Sequence, residues 1–321
     1  MPQVQGPGAS GDDNIVRSPG RLSRPCWLIL FVCGVLGCQE SAPTATPLTS
    51  AATTDETSRQ RRWVSLAPAV TETLFALGAG NRIVGVSDYC SHPADVQKLP
   101  RAGTALRPNF EALVQLNPTL ILSENNKNTQ TTALSKLAPT LALPWLSLAE
   151  VTASVRLLGK KAGLPQAGEK LAQRLSTTLR RSPPPNAPRV LLVLGYSPKQ
   201  LSEVWFIRKN SLHGAALRAA GGRNAIDRDV DGLPKLSLEA VLDLDPEQVV
   251  VLISPERTEG VSDEQILAGW RKLTVLSAVK TDKLAIVRDA GIFANGPRIL
   301  DLVPKLRRAL AQLGATPADP G

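Results

Sequence analysis

Residues 109–118 read Asn-Phe-Glu-Ala-Leu-Val-Gln-Leu-Asn-Pro. They align without a gap to residues 237–246, Ser-Leu-Glu-Ala-Val-Leu-Asp-Leu-Asp-Pro. Each copy opens on a side chain suited to an N-cap, Asn109 or Ser237, and carries a glutamate in its first turn, Glu111 or Glu239. Each ends on a proline that cannot continue the helix. A β-branched and leucine-rich run follows both, at 119–122 and 248–253, as expected of a strand buried on two faces. A capped helix, a proline stop and a buried strand, occurring twice, predict two related lobes. The chain of 321 residues accommodates two domains of about 100–150 residues each.

The rest of the pattern alternates in the same way. Residues 63–66 form an apolar strand ending before Pro68. Thr71 can cap a helix with Leu74, Phe75 and Leu77 on one side, and Gly78 stops it. Residues 83–86 read as the next strand. Residues 87–93 and 103–108 read as loops, the first at a strand's carboxyl end, where open α/β sheets take ligands. A helix over 129–137 and a strand over 140–143 complete this region. Residues 148–181 are helical, broken at Gly163-Leu164-Pro165, with Leu171, Leu175 and Leu179 forming a stripe. This stretch suits either a spine between the lobes or a covering helix of the first. Beyond it come a strand over 189–195 and an irregular loop over 196–210. A Ser211-capped helix reaches 220, and a loop covers 224–234. The second repeat copy follows, then a helix over 263–273, a strand over 284–287, a loop over 288–296 and a helix from Pro297 to 313. Strands alternating with helices predict parallel sheets covered on both faces.

Composition excludes several classes. The chain is 43% hydrophobic and 20% charged, as a globular protein is. Its formal charge of +9 is spread unevenly: residues 148–187 hold seven Lys/Arg against two Asp/Glu, while both lobes are nearly balanced. With aromatics at 4% and no nucleic-acid module, that excess reads as a solvated helix face, and no nucleic-acid partner is expected. The four cysteines, Cys26, Cys33, Cys38 and Cys90, lack metal-ligand spacing, and only His92 and His213 supply imidazole, so no metal cage is expected. Gly78-Ala79-Gly80 follows a helix and precedes a strand, the reverse of a dinucleotide fingerprint. No nucleophile elbow, Walker loop or zinc-protease helix occurs, and no enzyme activity is expected.

The amino-terminal segment carries addressing signals. Arg17, Arg21 and Arg24 precede the apolar run 27–36, which is too short to span a bilayer and fits a secretory h-region. Val35-Leu36-Gly37-Cys38 resembles a bacterial lipobox, which implies cleavage before Cys38 and lipid attachment to it. Residues 39–62, rich in Ser, Thr, Ala and Pro, read as a flexible tether.

Residues 65–90, SLAPAVTETLFALGAGNRIVGVSDYC, resemble the opening of the iron-siderophore and vitamin B12 substrate-binding proteins of ABC importers. PNFEALVQLNPTLIL, AAGGRNAI, LPKLSLEAVLDLDPEQVVVL and GPRILDLVPKLRRAL extend the resemblance over about 62–313. It implies an α/β fold of two Rossmann-like lobes joined by a single long rigid helix, the class III periplasmic binding protein architecture. The chain then divides into an extension and signal peptide (1–37), a tether (38–62), a first lobe (63–147), connecting helices (148–187), a second lobe (188–314) and a tail (315–321). The ligand implied is a corrinoid or ferric siderophore, with haem as the alternative, and no cofactor is retained. A non-transport scaffold or adhesion lipoprotein would also fit the anchor and tether. The resemblance implies ligand contact by Tyr89. Arg107, Trp205, Arg208 and Arg298, on or beside loops of the expected cleft, complete the candidate set, arginine forks being suited to carboxylates, catecholates and phosphates. Ala105 and Leu233 stand where vitamin B12-binding members carry tryptophans. Glu111 and Glu239 correspond to glutamates that dock onto the two permease subunits. The expected state is a monomer, lipid-anchored on the extracytoplasmic side of a membrane.

Overall fold

A computed structural model describes residues 62–125, 129–195, 203–230 and 234–314. Contacts divide the chain at Leu48/Thr49, and every described residue lies in the second unit. Cys38, the signal segment, most of the tether, Leu233 and the tail fall outside the described residues.

The first lobe is built on β1 (Trp63–Ser65), β2 (Ile83–Val86), β3 (Leu120–Glu124) and β4 (Thr140–Leu143). All pair in parallel, in the order β2-β1-β3-β4. Side chains alternate across this sheet: Trp63 joins one apolar cluster and Val64 the other. Helices α1 (Pro68–Ala76), α2 (Phe110–Leu116) and α3 (Thr131–Leu134) connect the strands. One expectation fails here. Thr71 does not cap α1, because Pro68 starts the helix a turn earlier behind Ala67. The Thr71 hydroxyl instead lies 3.1 Å from the Ala67 carbonyl oxygen and 2.8 Å from Ser65 Oγ, within hydrogen-bond distance of both. The α3 segment is also shorter than the 129–137 expected.

The connection consists of two helices, α4 (Leu148–Lys161) and α5 (Pro165–Leu179), with the break falling where Gly163-Leu164-Pro165 predicts it. Ser147 and Glu150 close a capping box at the start of α4. Gly163 turns the chain with φ +67°. The helices then fold against each other so closely that a Cβ on Gly159 would lie 2.7 Å from the Gly168 Cα. Leu175 and Leu179 of the expected stripe are fully buried and Leu171 partly so. Through them a continuous apolar cluster runs from Val70 and Leu74 of the first lobe to Leu217 and Leu306 of the second.

The second lobe is a six-stranded sheet in the order β10-β9-β5-β6-β8, with β7 also paired to β5. Its strands are β5 (Arg189–Leu194), β6 (Glu203–Phe206), β7 (Arg223–Asn224), β8 (Lys235–Ser237), β9 (Gln248–Ile253) and β10 (Leu284–Arg288). Helices α6 (Leu212–Ala220), α7 (Leu238–Leu244), α8 (Asp263–Arg271), α9 (Ser277–Lys280) and α10 (Ile299–Gln312) surround it. Val190 and Leu192 pack into the cluster shared with the first lobe, Leu191 and Val193 into a separate one on the far face. The sheet is not wholly parallel, contrary to expectation. Part of the expected loop 196–210 is strand β6, antiparallel to β5, and Lys235–Ser237 continues as β8, antiparallel to β6. Val204 and Phe206 are buried while Glu203 and Trp205 are exposed, the alternation of a strand covered on one face.

The repeat holds in three dimensions. Asn109 accepts from the Ala112 amide and Ser237 from the Ala240 amide. Asn117 and Asp245 end the two helices in the left-handed region, at φ 43° and 38°.

Candidate functional site

At the carboxyl ends of β1, β2 and β3 lies a hollow of about 630 Å³. Leu66, Ala67 and Pro68 after β1, Asp88 and Tyr89 after β2, Arg107 in the next loop, and Glu124 at the end of β3 form its wall. Strands that run in parallel end together, so loops distant in sequence meet here.

Two loops shape the opening, and both are tied down. The Asp88 amide donates to the Gly103 carbonyl at 2.9 Å. Arg101 Nη1 donates to the Ser87 carbonyl at 3.0 Å and the Cys90 carbonyl at 2.6 Å, clasping the loop that carries Tyr89. Gly103 adopts φ +76°, and a Cβ there would lie 2.5 Å from the Arg107 carbonyl oxygen and the Asn109 amide. That position requires glycine. The Arg107 amide donates to Thr104 Oγ1 at 3.0 Å, which closes the second loop. Tyr89 is therefore held on a fixed backbone yet is 75% exposed, an aromatic face presented to the opening. Cys90 beside it is buried and unpaired, 3.2 Å from Thr71 Oγ1, and burial pushes its thiol pKa up. His92 is exposed.

The five proposed ligand contacts are thus not all placed alike. Tyr89 and Arg107 share the hollow, and Ala105 lines it too. Trp205 sits on β6 rather than in a loop, opposite Leu194 at the carboxyl end of β5, and is 43% exposed. The Lys235 ammonium lies 4.6 Å from its ring centroid. Arg208 donates to the Val230 carbonyl at 2.8 Å and is half-buried. Arg298 spends its fork on Glu72: Nε lies 3.0 Å from Oε2, and Nη2 donates to Oε1 at 2.5 Å. This pair crosses between the lobes, and Trp145 Nε1 crosses beside it to the Asn295 carbonyl at 2.7 Å. Glu111 and Glu239 are exposed in the first turns of α2 and α7.

Sequence reasoning missed three residues. Glu124 stands in the wall of the hollow, and burial raises its carboxyl pKa. Arg101 positions the Tyr89 loop. Glu72, 6% exposed, anchors Arg298. A lone acid in the middle of a helix pattern carries no local sign of a partner 226 residues away. Among the described residues no group of three or more His, Cys, Asp or Glu is gathered to hold a metal ion, and no helix is long and apolar enough to cross a membrane.

Comparison with known proteins agrees with this architecture. A cobalamin-binding protein of Halobacterium salinarum is 28% identical over 266 residues, covering 78% of this chain and 70% of the relative. A vitamin B12-binding protein of Pectobacterium atrosepticum is 26% identical over 274 residues, 80% of this chain and 91% of its own length. Among solved structures, the periplasmic heme-binding protein BhuT in complex with two hemes superposes with a TM-score of 0.63 at 25% identity, covering 79% of this chain and 98% of that one. The periplasmic binding protein family model matches residues 64–290, spanning both lobes and the helices between them. By that match, which covers well over half of the chain, the chain belongs to the periplasmic binding protein family.

Proposed function

We propose that this protein captures a metal-chelate macrocycle, a corrinoid foremost, and delivers it to an ABC permease. The observation that carries the reading is the hollow at the carboxyl ends of β1–β3. It offers an exposed aromatic ring, Tyr89, and a cationic fork, Arg107, on clasped loops. A flat, largely apolar chelate with polar side groups suits such a wall: the ring stacks, the fork takes carboxylate, phosphate or amide oxygens, and Glu124 accepts from amide donors. Ala105 in place of a bulky side chain leaves the hollow broad. Cobalamin-binding relatives support the corrinoid, and BhuT keeps haem as the second reading. No catalytic step and no resident cofactor belong to this role. Lipid on Cys38 would hold the monomer at the membrane surface by the tether. Glu111 and Glu239, one on each lobe, would meet arginines of the two permease subunits and set docking register more than affinity. Uptake by a reconstituted importer should fall for each glutamate-to-alanine change; normal uptake by the double variant would remove the docking role.

Titration of the purified protein with cyanocobalamin, haemin and a ferric catecholate, followed by absorbance, tests the ligand. Saturable binding of cyanocobalamin, weakened severalfold in Tyr89→Ala with no change in Tm, is the expected result. Binding of haemin alone would transfer the assignment to haem, and binding of none of the three would overturn the proposal.

A further inference from the structure

A second cavity, of about 390 Å³, lies at the opposite end of the second-lobe sheet from the carboxyl ends of its parallel strands. Arg189 is the first residue of β5 and pairs with Arg223 of β7. The β6 strand runs antiparallel to β5, so the chain leaving it descends to the same end and brings Lys209 there. Arg218 arrives from α6. These four cations line the cavity with one acid, Asp227. Three arginine forks elsewhere close on carboxylates: Arg156 on Glu169, Arg288 on Asp263, Arg298 on Glu72. Here they do not. Arg218 Nη1 donates to the Lys209 carbonyl at 3.0 Å, Arg223 Nε to the Ala187 carbonyl at 2.9 Å, and Arg189 Nη2 to the Leu244 carbonyl at 2.6 Å. Each bond to a backbone oxygen fixes a guanidinium without neutralising it, and a guanidinium has five N–H donors. Lys209 does reach Asp227 at 3.0 Å and Asp229 at 3.9 Å, but those carboxylates are 91% and 73% exposed, and such pairs are weak.

We propose that this cavity binds a phosphate group. Gathering four cations around one small space costs electrostatic repulsion, which a dianion relieves. Rigid forks aimed from different elements match the several oxygens of a phosphate better than a single carboxylate. The volume suits one small anion or a headgroup, and among the described residues no aromatic side chain lines it for stacking a base. The phosphate could be free in solution or carried by a lipid headgroup; the chemistry recognised is the same.

The test is isothermal titration of the purified protein with inorganic phosphate at low ionic strength, alongside sedimentation with phosphatidylcholine vesicles with and without phosphatidic acid. Saturable binding of inorganic phosphate, weakened about tenfold or more in Arg218→Ala/Arg223→Ala, is expected from the loss of two charge-assisted contacts. Arg223→Gln, a change at an exposed position, should weaken it in the same direction and keeps the test valid if the double variant folds poorly. Co-sedimentation only with phosphatidic acid vesicles, lost in the same variants, would assign the headgroup as the source. The proposal is overturned if neither probe binds saturably, if the variants bind as well as the wild type, or if sodium chloride at equal ionic strength reproduces the phosphate effect.

Discussion

The two lobes share a frame and differ along one edge. In the first, the strand beside β1 is β2, parallel along its whole length. In the second, the matching edge of β5 is divided between the parallel β7 at the amino end and the antiparallel β6 at the carboxyl end. The shared frame extends to a device at the helix ends. Arg62, just before β1, donates from Nη2 to the Leu116 carbonyl at 2.6 Å; Arg189, starting β5, donates from Nη2 to the Leu244 carbonyl at 2.6 Å. Each satisfies the last carbonyls of the repeated helix, which that helix cannot satisfy itself. The common core thus fixes where loops emerge, and the edge decides what they present: Tyr89 after β2 in one lobe, Trp205 within β6 in the other.

The largest effect should come where the lobes meet. Arg298→Ala strands Glu72 at 6% exposure and should cost about 3 kcal/mol, because a buried charge loses its partner. Urea unfolding should show this loss, and Glu72→Leu/Arg298→Leu should recover much of it. An undiminished midpoint in Arg298→Ala would mean the lobes do not depend on the pair.

A direct test of equivalence is removal of the two arginine clasps. Arg62→Ala and Arg189→Ala should each cost about 1 kcal/mol, the worth of carbonyls left to water or to nothing. Equal losses would sharpen the likeness. A loss confined to one variant would show that the matching geometry hides unlike roles.

Smaller effects should have opposite pH signs in the two lobes. His213 of α6 is buried and bonded to the Ile292 carbonyl at 2.7 Å; burial holds its pKa below the usual 6.5, against the hydrogen bonds to Ile292 and Asn295. Its folded pKa is depressed, so its contribution is complete above pH 6.5 and is lost as pH falls through the folded value. His213→Gln should flatten the acid side of the Tm profile. Burial raises the Glu124 pKa above 4.5, so its contribution is complete below pH 4.5 and is lost as pH rises through the folded value. Glu124→Gln should therefore raise Tm near neutrality, a gain that disappears in acid. A Tm–pH profile unchanged by either substitution would erase this contrast.

Much of the frame was legible because its signals are local. Asn109, Ser211 and Ser237 cap the helices they were expected to cap, the run 248–253 is a strand, and the run 119–122 leads into one, Leu120–Glu124. Thr71 misled because a proline three residues earlier supplies a stronger start. The β6 strand escaped notice because it has only four residues and its state depends on β5 and β8, distant partners that propensity does not encode. At the candidate site, the family resemblance pointed to Tyr89 and the order of the loops to Arg107, and both line the hollow. The Arg101 clasp, the Glu72–Arg298 pair and the Glu124 environment arise only when separate segments are folded together.

The crossing of Trp145 to the Asn295 carbonyl, beside the Glu72–Arg298 pair, bears on how much motion capture can involve. Two bodies pinned at a common seam have little rotational freedom left to surrender when a guest arrives. The loss of entropy that a loosely hinged clamp suffers on closing is here incurred during folding. A seam fixed in this way would hold the loops of the two lobes at a nearly constant separation, and guests would then be sorted by size.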